Sequence, residues 1–74
     1  MEQTFGQKAV GLSFNLSNDN AVDKCKRIFA EVIDQLNDLR NETTSSEVKR
    51  MCSVAITEAQ SAQMWAVKAI TWQD

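Results

Sequence analysis

A chain of 74 residues makes one domain at most, near the size at which a single apolar core is marginal and needs a disulfide, a metal or association. With 8 Lys and Arg against 10 Asp and Glu the net charge is −2, and no long basic run is present, so duplex nucleic acid is not an expected partner. Histidine is absent and the two cysteines, Cys25 and Cys52, form no metal-binding spacing, so no metal and no cofactor is expected.

Both cysteines fall on apolar helical positions and read as reduced structural thiols. Association is the remaining source of stability. No cationic segment leads into an apolar signal region, and no apolar stretch approaches the ~20 residues of a membrane span. The expected location is the cytosol.

Residues 1–19 read as an N-terminal arm, irregular or briefly helical, holding both glycines, Gly6 and Gly11. The arm carries Phe5, Val10, Leu12, Phe14 and Leu16. The alternation Ser13-Phe14-Asn15-Leu16 suits a strand, but one short run has no strand to pair with. The arm is expected instead to lie along a helix and drop its apolar side chains onto it.

Residues 20–74 read as a helical hairpin. Ser17-Asn18-Asp19-Asn20 offers a dense cluster of N-cap side chains. A first helix is predicted from about Ala21 to about Arg40, with Val22, Cys25, Phe29, Val32, Leu36 and Leu39 recurring as a heptad seam. Ile28 and Ile33 widen that seam on its flanks. Asn41 to Ser46 is a polar turn of the length that joins antiparallel helices, and Thr44, Ser45 or Ser46 can cap the second helix.

That second helix is predicted from about Glu47 to about Thr71. Its seam is small: Val48, Cys52, Ala55, Ala59, Ala62, Ala66 and Ala69. Ala59 and Ala62 are expected where the helices approach most closely. Between Met51 and Gln73 only Glu58 and Lys68 are ionised, and a helix so poor in charge is usually packed on several sides. Trp65 and Trp72 share a face and are expected in the core or at an interface. The predicted fold is all-α, an antiparallel two-helix hairpin with an N-terminal arm, assembled into a compact homo-oligomer.

Catalysis is not expected. No general base of the histidine type exists, and no Ser or Cys has a visible activating partner. Asp34 and Asp38 lie on a solvated face rather than on the seam. The basic cluster Lys24, Lys26 and Arg27 opens the first helix, where the backbone dipole also favours anions. Lys24 and Arg27 point outward. Lys26 sits at the seam edge, where its stem can cover apolar surface or its ammonium can meet a phosphate between protomers. Phe14 can anchor the arm or serve as a platform for a base.

The chain resembles the phage anti-CBASS cyclic-oligonucleotide sponges, whose helical-hairpin domain is shared with anti-Thoeris sponges. The resemblance runs from about Leu12 to Trp72. It is carried by Phe14-Asn15-Leu16-Ser17, by Ala21-Val22-Asp23-Lys24-Cys25-Lys26 and by Glu31-Val32-Ile33-Asp34. Ala55-Ile56-Thr57-Glu58-Ala59-Gln60 and Gln63-Met64-Trp65-Ala66-Val67-Lys68-Ala69 complete it.

What the resemblance implies is a hexameric protein of the host cell cytoplasm. It would sequester cyclic dinucleotides such as cyclic GMP-AMP, or cyclic oligonucleotides, without cleaving them. By resemblance Lys26 contacts phosphate, Phe14 stacks on a base, and Thr57 belongs to a separate cyclic-trinucleotide pocket. Ile56 stands where relatives often carry a basic residue, a departure bearing on that second pocket. The rival expectation from the residues is a helical protein–protein interaction module or scaffold whose alanine seam docks another helix.

Overall fold

A computed structural model describes residues 2–12 and 21–74. Among these, three helices and no strand are present: α1 Phe5–Ala9, α2 Ala21–Glu42 and α3 Ser46–Thr71. The limits of the two long helices match the predicted ones to within a turn. The N-cap cluster at 17–20, together with Phe14 and Leu16, lies outside the described residues.

The turn between the long helices is built as its composition suggests. Ser45 is the N-cap of α3, its hydroxyl accepting from the Val48 N–H at 3.2 Å. Glu47 lies in the first turn, where a negative charge suits the helix dipole. The Arg50 guanidinium, 2.5 Å from Glu47, holds that carboxyl below the usual carboxylate range. The pair's small contribution is present at neutral pH and fades as pH falls through the lowered Glu47 pKa. At the other side of the turn Lys49 donates to the Arg40 carbonyl at 3.2 Å, satisfying the C-terminal end of α2.

The described part of the arm, residues 2–12, is briefly helical. Thr4 and Gln7 form a capping box around the start of α1. Its end is a Schellman turn: Leu12 N–H donates to Gln7 O at 2.9 Å and Gly11 N–H to Lys8 O at 3.1 Å. Gly11 takes the left-handed φ of 69° that such a turn needs. This turn delivers Val10 and Leu12 into the core.

The core is the cluster Val10, Leu12, Ala30, Ile33 and Ile56, with Phe29, Leu36 and Ala59 packed against it. Ile33, which the heptad reading places on a flank, is its centre and is fully buried. Val32 and Leu39, placed on the seam, are instead exposed. The core face is that of Phe29, Ile33 and Leu36, turned toward the flank relative to the heptad reading, because Val10 and Leu12 of the arm pack on that side of α2.

The alanine seam of α3 is corrected in the same way. Cys52, Ile56 and Gln63 are the buried positions, Ala59 is half-buried, and Ala62 and Ala69 are exposed. Ala62 is thus not at the closest helix approach within the hairpin. Ala62→Leu is expected to leave the hairpin's own melting within about 0.5 kcal/mol of wild type, as for an exposed position. Any larger effect, measured by chemical unfolding, must come from a contact between copies.

Trp65 and Trp72 are 70 % and 64 % exposed, so neither is in the core. The backbone extends over 45 × 32 × 12 Å, a flat shape.

Candidate functional site

Lys26 lies on the core side of α2, half-buried, and its Nζ donates to the Gly11 carbonyl at 3.3 Å. The Schellman turn therefore serves two ends: it seats Leu12 and it brings a main-chain oxygen to Lys26. α3 closes the other side, with Gln60 Nε2 donating to Ala9 O at 3.4 Å. Between the α1 turn, Lys26 and the second half of α3 runs an open cleft of about 450 Å³.

The chemistry of this cleft is uneven. Lys8 and Lys26 supply two cations, Gln60 and Gln63 two amides, and Val10, Met64 and Val67 apolar walls. Among the described residues no carboxylate lines the cleft. A group with negative charge and flat apolar faces meets matching surfaces here, and the volume falls in the ~300–1,000 Å³ range of small-molecule sites.

Arg40 braces the frame from the opposite end of the arm. It stacks over the Phe5 ring at 5.4 Å and bonds Asn37 Oδ1 at 2.7 Å and Ser53 Oγ at 3.0 Å, joining all three helices. Gly6 presses α1 onto α2, its N–H donating to Asp34 Oδ1 at 2.6 Å. Asp34 thus has a structural task, closing the N-terminal end of α1.

Of the site residues named from the sequence, the structure places Lys26 in the cleft. Thr57 is elsewhere. It is exposed, its hydroxyl donates back to the Ser53 carbonyl at 3.1 Å, and it lines a separate depression of about 270 Å³ with Val54 and Glu58. The two residues are not brought together. Phe14 lies outside the described residues.

Sequence reasoning missed Lys8, Gln60 and Gln63. A signal for Lys8 was present: Thr4-Phe5-Gly6-Gln7 has the capping-box spacing and Gly11 the place of a helix-ending glycine, which together fold the arm back. Nothing in the alanine-rich pattern marks the two glutamines.

Among the described residues no cluster of three or more His, Cys, Asp or Glu side chains could hold a metal, and no helix is long and apolar enough to cross a membrane. Cys25 and Cys52 are free thiols, the second buried.

Fold and site together define a small helical hairpin with a short N-terminal helix folded back to edge a cleft that carries two lysines. The model of the Acb2/Tad1 hairpin domain matches residues 7–71, and the chain belongs to that family, the anti-CBASS and anti-Thoeris sponges. The match takes in the second half of α1 as well as both long helices. No curated protein and no solved structure matches the chain.

Proposed function

We propose that this protein binds and sequesters host cyclic dinucleotides such as cyclic GMP-AMP, without cleaving them, and so keeps CBASS effectors inactive during phage infection. The observation that carries the reading is Lys26 beside Lys8 in an open cleft, in a chain of the sponge family. A cyclic dinucleotide has two phosphates for cations and two bases for apolar walls, which is the pairing the lining residues offer. Phe14 takes the role of the stacking platform by resemblance, and Thr57 that of a second, cyclic-trinucleotide site.

The site works in the host cytoplasm within a homo-oligomer, a hexamer by resemblance, whose neighbouring copies complete the open cleft. In support, Ile28, Val32 and Leu39 on α2 and Val54, Trp65 and Trp72 on α3 are exposed in the single chain. Apolar area of that kind on so small a chain asks for a partner.

The test is calorimetry with cyclic GMP-AMP on wild type, Lys26→Ala and Lys24→Ala, then release of the ligand and analysis for intact molecule. Charge-assisted bonds to phosphate are worth about 1.5–3 kcal/mol, so Lys26→Ala is expected to weaken binding by one to two orders of magnitude. Lys24, exposed and outside the cleft, should lose far less. Silence at Lys26 with a severe loss at Lys24 would move the site.

A second reading, a helical protein-interaction module, draws on Trp65 and Trp72, which with Lys68 and Ala69 border an apolar depression of about 310 Å³. Absence of any melting shift with cyclic di- or trinucleotides favours it, since saturating ligand at about 100 times Kd stabilises by about 2.7 kcal/mol.

A further inference from the structure

The cleft beside Lys26 holds a group that the fold does not need. Gln63 is 5 % exposed, in line with Ile56 and Cys52 on the buried face of α3, and it is the one polar side chain among the buried described residues. Its amide makes no hydrogen bond with any described residue, yet no side-chain nitrogen or oxygen sealed from solvent lacks a partner. The amide therefore keeps its contact with solvent, and the opening that Gln63 lines is the cleft. Methionine or leucine would fill the same space with no polar group to satisfy, so a glutamine here is disfavoured on packing grounds alone.

We infer that Gln63 reads the N6/N7 edge of a nucleobase bound in the cleft, and that through this edge it selects adenine over guanine. The inference rests on the proposed cyclic-dinucleotide site. A primary amide presents one donor and one acceptor side by side. Adenine offers the complement on one edge, the N6 amino group beside the N7 acceptor, and a glutamine or asparagine amide pairs with both. Guanine shows two acceptors, N7 and O6, on the same edge, and the amide oxygen would face one of them. Lys26 supplies charge that is indifferent to base identity. Gln63 supplies the distinction.

Gln63→Met removes the amide and keeps the length, and Gln63→Leu repeats the change with a different shape, separating a packing defect in one variant from loss of the amide. Binding of cyclic di-AMP and cyclic di-GMP is measured by calorimetry on wild type, both variants and Lys26→Ala, beside melting curves. Both Gln63 variants are expected to melt at or above the wild-type temperature. Their Kd for cyclic di-AMP should rise about tenfold, the scale of one good bidentate base contact, with a change under about threefold for cyclic di-GMP. Lys26→Ala should weaken both ligands alike.

Gln63 variants that bind both ligands as wild type does, or lose both equally, overturn the base-reading role while leaving the site in place. A wild-type protein that binds neither ligand overturns the site itself and this role with it.

Discussion

Ile33→Ala is expected to lower the stability of the protein by about 2–5 kcal/mol, the usual cost of emptying a fully buried aliphatic position that cannot collapse. Ile33 has no exposed surface, and it is the point at which all three helices meet: Val10 and Leu12 come from the α1 turn, Ala30 from α2 itself and Ile56 from α3. The surrounding residues are held by three separate helices, which limits how far they can close over the space. The loss should appear as a lower urea midpoint at unchanged slope, measured at several protein concentrations so that linkage to assembly is separated from the fold. A loss below about 1 kcal/mol would mean that the core is centred elsewhere.

That position also shows what the sequence tells and what it hides. Helices, turn and polarity of packing come from local chemistry: Ser45 caps where a cap was expected, and both long helices lie within a turn of their predicted limits. The rotation of each helix about its axis is not set so simply. α2 carries two apolar rows, one through Phe29, Ile33 and Leu36 and one through Ile28, Val32 and Leu39, and spacing alone merges them into one seam. Which row faces α3 is decided by the arm, because Val10 and Leu12 can join only the first.

The candidate site divides along the same line. Lys26 could be picked out because it lies at the edge of the apolar seam and the family resemblance marks it, while its position alone left the covering role open. Gln60 and Gln63 could not, since they matter only once α1 folds back to form the opposite wall. A cleft made by elements distant in sequence is visible only after the long-range contacts are known.

Those contacts hinge on one atom that is missing. Gly6→Ala should be favoured by helix propensity, by about 1 kcal/mol, because Gly6 lies inside α1. The expected result is the opposite. A Cβ at this position would collide with the Ala30 carbonyl oxygen, stand 2.9 Å from the Ala30 carbonyl carbon and 2.8 Å from Asp34 Oδ1. The first two are α2 backbone and cannot swing away. α1 must lift, which strains the 2.6 Å bond from Gly6 N–H to Asp34 and draws Val10 and Leu12 out of the core.

Overpacking of this kind costs about 1–3 kcal/mol, enough to outweigh the propensity gain. The consequence reaches the cleft as well, because Lys8 to Gly11 form one of its walls. Cyclic-dinucleotide affinity should therefore fall in Gly6→Ala although no lining residue has changed. Gly11→Ala is the control with the other failure: nothing lies within 4 Å of its new Cβ, and only the left-handed φ of 69° resists it, at about 1 kcal/mol. Melting and calorimetry on the two variants give the ranking. If Gly6→Ala melts at or above wild type and binds as well, α1 is not seated on α2 through Gly6, and the arm cannot be the wall that positions the Lys26 site.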